Sequence, residues 1–188
     1  MTELEKLYAG KKYNYSDPEI SQLHNKAFFL TSKINNTIVT EENCAYIKKL
    51  MKCLIPDMDD SVMIILPFRC DIGSRIKIGK NVTINYNCSF LDNGGIEIGD
   101  NTLIGPDCHI LTSQHPIDYK ERRKPEEKSL PIKIGEDCWL GGNVTVCPGV
   151  TIGNRVIVGA GSVVTHDIPD DVVVAGNPAK VIKTNGKA

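Results

Sequence analysis

Imidazole is the side chain best suited to moving protons near neutral pH, and this chain carries four of them, His24, His109, His115 and His166. His109 and His115 stand six residues apart, while His24 and His166 lie far from them in sequence. Two chemistries follow from such residues. One is a general base acting on a hydroxyl, and the other, given a third imidazole, is a zinc site that activates water. The seven cysteines are an odd number, with neither a Cys-x-x-Cys pair nor the Cys/His spacing of a zinc finger. That supports neither a disulfide framework nor a structural zinc, and points to reduced thiols.

The element that must position these groups is a repeat. From residue 72 the chain runs in sixes: aliphatic, small or polar, two variable places, small or β-branched, variable. Twelve hexads start at Ile72, Ile78, Ile84, Ile98, Ile104, Ile110, Ile134, Leu140, Val146, Ile152, Val158 and Val164. The register slips by two around Gly94-Gly95 and is broken by a polar stretch, residues 116–131. A period of six predicts short parallel strands with aliphatic side chains stacked inside a prism, and Gly or Asn at corners that need positive φ.

The expected fold class is therefore an all-β core, a parallel β-helix over residues 61–188, with an extruded loop at 116–131 and a C-terminal tail. In a strand the fifth place and the next first place point inward, and the place between them points out. Cys70, Cys88, Cys108 and Cys138 read as fifth places, where a small buried side chain is wanted. His109, His115, Thr83, Trp139 and Asp71 read as outward sixth places, and Asn85 also faces out. Of the histidines, only His115 stands where a regular strand gives way to the polar loop. An outward residue of one chain can line a cleft once a neighbouring subunit covers it.

Residues 1–60 read as a small helical segment. Ser16-Asp17-Pro18-Glu19 is a helix start, leading into an apolar stripe of Ile20, Leu23, Ala27, Leu30 and Ile34. A second start at Thr40-Glu41-Glu42-Asn43 leads into Tyr46, Leu50 and Leu54, and two helices are expected to pack on the first coils. At 188 residues and a net charge of −1 the chain suits one domain, with no long-range field to draw nucleic acid or anionic lipid. It shows no cationic leader and no apolar run of membrane-spanning length, so a cytoplasmic location and no membrane partner are expected.

Several motifs together resemble the maltose and galactoside O-acetyltransferases among the hexapeptide-repeat acyltransferases. They are Tyr8-Ala9-Gly10 to Ser16-Asp17-Pro18, Phe68-Arg69-Cys70-Asp71, Ser113-Gln114-His115-Pro116-Ile117-Asp118, Cys138-Trp139-Leu140-Gly141-Gly142, Pro148-Gly149-Val150-Thr151-Ile152-Gly153 and Ala175-Gly176-Asn177-Pro178-Ala179-Lys180. The resemblance implies a left-handed helix and a homotrimer with active sites between subunits. The left hand comes from the resemblance alone, since the general crossover rule would give the other. It further implies direct acetyl transfer from acetyl-CoA to a sugar hydroxyl of maltose or glucose type, without a metal.

On matching positions, His115 is then the catalytic base, and Asp17, Asp71, Asn85, Asp92 and Glu127 bind the acceptor. Trp139, Gly142, Ala160, Thr165, Lys180 and Lys183 bind the cofactor. Asn93 departs from an acidic pair of the galactoside branch, and His166 stands where Lys is common. Lys180 and Lys183 replace Arg, which keeps the charge and loses the fork. The same coil carries xenobiotic acetyltransferases, γ-class carbonic anhydrases and non-catalytic trimeric scaffolds. The Asp17-Pro18 segment fits the sugar branch better than the xenobiotic one, and a third zinc-binding imidazole is missing.

Overall fold

The computed structural model describes residues 1–186. Its core is a three-faced parallel coil. The first face stacks Met63–Ile64, Thr83–Ile84, Leu103–Ile104, Trp139–Leu140, Ile157–Val158 and Val172–Ala175, and Lys180–Thr184 closes it as an antiparallel edge. The second face stacks Phe68–Cys70, Cys88–Leu91, His109–Leu111, Thr145–Val146 and Val163–Val164. The third stacks Ile76–Ile78, Ile96–Ile98, Ile132–Ile134 and Thr151–Ile152. Inward columns such as Ile84, Ile104, Leu140 and Val158 are at most 2% exposed, so each coil buries its apolar side chains on the next.

The corners divide two tasks that the repeat alone does not separate. Positive φ is taken by Asn81, Asn101, Asp107, Asp137, Asn143 and Arg155, among others, at 57° to 59°. The glycines in the second place of a hexad serve close stacking. A Cβ on Gly99 would lie 2.6 Å from the Glu136 amide nitrogen, and one on Gly141 would lie 2.7 Å from that of Ala160. At the same fourth place as Asn81 and Asn101, Gly149 and Gly161 also take positive φ, at 82° and 72°, so the expected Gly or Asn is found there, with Asp and Arg sharing the task.

Register in the first coil also differs from the reading by sixes. Phe68 pairs with Cys88, and Cys70 with Phe90. Cys70 therefore occupies an inward first place, Phe68 holds the fifth, and Asp71 is one step beyond Cys70 rather than in a sixth place. The two-residue surplus seen at Gly94-Gly95 recurs at the equivalent turn before Ile76, because Ile76 pairs with Ile96. At Gly94 the surplus lets the chain pass closely, since a Cβ there would meet the Leu130 backbone at 2.7 Å.

The N-terminal segment holds three helices, α1 (Glu3–Tyr8), α2 (Pro18–Asn35) and α3 (Cys44–Leu54). Asp17 caps α2, with Pro18 in its first turn, as the sequence predicts. Ala27, Ile34, Met51 and Leu54 join the core of the coil. The short α1, set by a Thr2/Glu5 capping box, and a two-residue strand, Tyr13–Asn14, were not expected. That strand pairs with Glu126–Ser129, which pairs in turn with Ser113–Gln114.

The hexad starting at Ile110 is therefore not a regular coil. Its parallel strand stops at Leu111, and Ser113–Gln114 opens an antiparallel hairpin with the returning arm of the loop. His115 lies past that strand, not in a sixth place. No helix among the described residues is long and apolar enough to cross a membrane.

Candidate active site

The three-stranded sheet gathers the polar groups. Antiparallel register sets Glu127 opposite Tyr13 and Ser129 opposite Ser113. By alternation Glu127 and Ser129 share a face, and they are 7% and 0% exposed. His115 follows directly after Gln114, with its side chain 49% exposed and Nε2 3.7 Å from Glu127 Oε2. That gap exceeds hydrogen-bond length, yet it places a negative charge beside any proton the ring gains. The Tyr15 ring meets the imidazole edge-on, with centroids 5.9 Å apart.

Asp71 enters the same cleft from the end of the second face. Its Oδ2 accepts from Asn93 Nδ2 at 3.0 Å, and the Asn93 amide nitrogen also donates to Ser113 Oγ at 3.1 Å. Asn93 Oδ1 meets His24 Nε2 at 2.8 Å, which ties α2 to the cleft. Burial, reinforced by the nearby Asp92 charge and opposed by His24, pushes the Asp71 carboxyl up to about 6. His115, Glu127, Asp71, Asn93, His24 and Tyr15 line one cleft, with a basic nitrogen, carboxylates and an amide suited to a polyhydroxyl ligand.

The expected site residues are distributed unevenly. His115, Glu127 and Asp71 come together. Asp92 lies behind them at 0% exposure and accepts the backbone N–H groups of Asp71, Ile72 and Gly73, so it shapes the turn that presents Asp71. The Asp17 carboxylate accepts from the Glu19 and Ile20 amides at the head of α2. Asn85 sits on the first face, its Oδ1 accepting from the Tyr86 amide at 2.8 Å, and is not brought to the His115 cleft within one chain.

The residues expected at the cofactor form a second group. Trp139 is 54% exposed on the first face, between Leu103 and Ile157. Gly142 and Ala160 occupy successive coils at the corner after that face, where the Gly142 carbonyl accepts from Gly161. Lys180 and Lys183 are exposed on the antiparallel edge strand. Thr165 stands apart, beyond the second face, with its hydroxyl 2.8 Å from His166 Nδ1. Tyr13, Tyr15, Ser113 and Ser129 were not read as site residues; the alternation Glu127-Lys128-Ser129 was the available signal, and it spans too few residues to separate from loop.

Comparison with known proteins agrees with this architecture. Residues 131–166 match the family model described as bacterial transferase hexapeptide (six repeats). A maltose O-acetyltransferase from Clostridium difficile 630 superposes with a TM-score of 0.95 at 40% identity, covering 100% of this chain and 99% of that one. A hexapeptide-repeat acetyltransferase from Vibrio cholerae, solved with acetyl coenzyme A, superposes at 0.91 and 37% identity over the whole of both chains. A provisionally named acetyltransferase of Staphylococcus aureus is 43% identical over 184 residues, 97% of this chain and 92% of that protein. With a three-faced coil of six-residue repeats and relatives this similar along its length, the chain belongs to the hexapeptide-repeat acetyltransferases.

Proposed function

We propose that the protein transfers an acetyl group from acetyl-CoA to a hydroxyl of a sugar of the maltose or glucose type, with His115 as general base. The observation that carries this reading is the convergence of His115, Glu127 and Asp71 in one polar cleft. The maltose O-acetyltransferase and the acetyl coenzyme A complex among the similar structures support the choice of acceptor and donor.

The chemistry follows from the groups present. As the acceptor oxygen attacks the thioester carbonyl, its proton passes to an imidazole nitrogen of His115. The new C–O bond gives a tetrahedral oxyanion, whose collapse breaks the C–S bond and yields the acetyl ester. The proton held on His115 returns to the departing thiolate, so the imidazole ends the cycle neutral. Glu127 stabilises the transient imidazolium across its 3.7 Å gap. Asp71 accepts from a sugar hydroxyl, and Asn85 of a neighbouring subunit orients the acceptor. Asp17 and Asp92 hold the backbone that frames it.

The residues assigned to the donor suit a nucleotide thioester. The exposed Trp139 offers a flat apolar surface, Gly142 leaves backbone accessible near the thioester, and Ala160 contacts the cofactor at the same corner while Thr165 reaches it from beyond the second face. Lys180 and Lys183 supply charge for phosphates. In this reading the enzyme is a cytoplasmic homotrimer, a location its unpaired cysteines suit.

The direct test is release of free CoA from acetyl-CoA with maltose, glucose, a galactoside or chloramphenicol as acceptor. Sugar-dependent release that falls by about two to four powers of ten in His115→Ala is expected. Release that persists in that variant overturns the assignment of His115, and release only with chloramphenicol would move the protein to the xenobiotic branch. No release with any acceptor would favour a scaffold.

A further inference from the structure

The polar groups behind the cleft form a continuous chain whose proton directions can be fixed by counting donors. Tyr13 is 1% exposed, and its hydroxyl donates to Glu127 Oε1 while lying 2.9 Å from Ser129 Oγ. A phenol has one proton. Because an ionised carboxylate can only accept, that proton goes to Glu127, and Ser129 must donate to Tyr13. Ser129 Oγ lies 2.9 Å from Ser113 Oγ, so with its own proton spent it accepts from Ser113. Ser113, its proton spent in turn, accepts from Asn93 Nδ2 at 3.1 Å. Asn93 is held by its second N–H to Asp71 and by its carbonyl to His24.

Every bond from Asn93 through Ser113, Ser129 and Tyr13 thus points its donor toward the Glu127 carboxylate, and the carboxylate's other oxygen faces His115. Bonds aligned head to tail polarise one another, so the terminal donor is the strongest. Burial and the carboxylate partner both push the Tyr13 phenol upward, which keeps it a donor throughout the range where His115 works.

We propose that Tyr13 is a positioning residue for acetyl transfer, acting as the last donor of a buried relay that holds Glu127 against His115. The proposal rests on the reading of His115 as the base and extends it to the N-terminal segment. Tyr13 touches neither substrate nor the reacting atoms. It acts through Glu127, and its strand, Tyr13–Asn14, brings it there by pairing with the loop that follows His115.

Tyr13→Phe keeps the ring and its packing and removes only the hydroxyl. CoA release from acetyl-CoA with maltose should then show kcat lowered about ten- to a hundredfold, the range for a lost hydrogen bond to a charged group, with KM for maltose little changed. Glu127→Gln should fall similarly, and the double variant Tyr13→Phe/Glu127→Gln should be no slower than Glu127→Gln alone. A purely structural role for Tyr13 would instead make the two losses multiply. Wild-type kcat in Tyr13→Phe, or multiplicative losses in the double variant, overturns the proposal. Wild-type protein inactive toward every sugar would instead overturn the function on which it rests. Ser129→Ala provides a second measurement if Tyr13→Phe folds poorly: its kcat should fall less than that of Tyr13→Phe, and a larger fall counts against the direction of the relay.

Discussion

Asp71 and Asp92 are neighbouring carboxylates with opposite duties. Asp92 is spent on three backbone amides, whereas Asp71 is presented to the cleft with its carboxyl pushed up to about 6 by burial and by Asp92. The sign of the stability effect follows from proton counting. Between about pH 4 and pH 6 the native chain keeps a proton at Asp71 that the unfolded chain has lost, so this contribution favours the fold at low pH and fades as pH rises through 6. Asp71→Asn cannot ionise and can still accept from Asn93. It should match wild type near pH 4 and gain on the order of 1 kcal/mol by pH 7, a figure reduced for solvent at the cleft mouth. Melting temperature against pH for both proteins measures it, and parallel curves would refute it. His115 and Asp71 could be picked out in the sequence because they sit in motifs resembling a family, whereas Glu127 rested only on its likeness to a loop acid of the maltose branch. The Tyr13 relay could not be, because its members lie in four separated segments and each bond is local to a fold that only the meeting of those segments creates.

At the scale of elements, the hexads predict the coil because a period of six repeats the same inward pair on every face, and one chain supplies enough coils for the pattern to outweigh single departures. Two-residue strands carry no such signal: Tyr13–Asn14 lies in a segment that reads as helical, and Ser113–Gln114 falls in the later places of a hexad. The corners make a sharper distinction testable. Gly99 has no positive φ but would force a Cβ to within 2.6 Å of the Glu136 amide nitrogen in the next coil, while Gly161 has φ of 72° with nothing within 4 Å of its Cβ. Gly99→Ala should destabilise by about 2 to 3 kcal/mol through a backbone clash that cannot relax by rotamer change. Gly161→Ala should cost about 1 kcal/mol through the left-handed conformation alone. Urea unfolding of both variants decides the matter; an equal or reversed order would show that conformation, not close stacking, governs these corners.

Across the whole molecule, the groups proposed for the two substrates lie on different faces. The His115 cleft opens where the second face ends, whereas Trp139 and Asn85 belong to the first face, whose outward column exposes Met63 at 56%, Leu103 at 48% and Trp139 at 54%. An apolar column of this kind, uncovered by its own chain, is the mark of a contact surface. Packing it against the cleft of another copy would bring Asn85 and Trp139 to His115, and repeating that heterologous contact around a closed ring would build the proposed trimer. Sedimentation should then give three times the 20.7 kDa of one chain, and Leu103→Asp should yield the mass of a single chain with acetyl transfer lost although His115 is intact. A stricter check uses two variants that are each impaired, His115→Ala and Asn85→Ala. If one subunit supplies the imidazole and its neighbour the amide, co-refolding equal amounts restores intact sites in mixed rings, up to about a quarter of wild-type activity. Mixed rings shown by differential tagging, yet with no recovery, would place both residues in the site of a single chain.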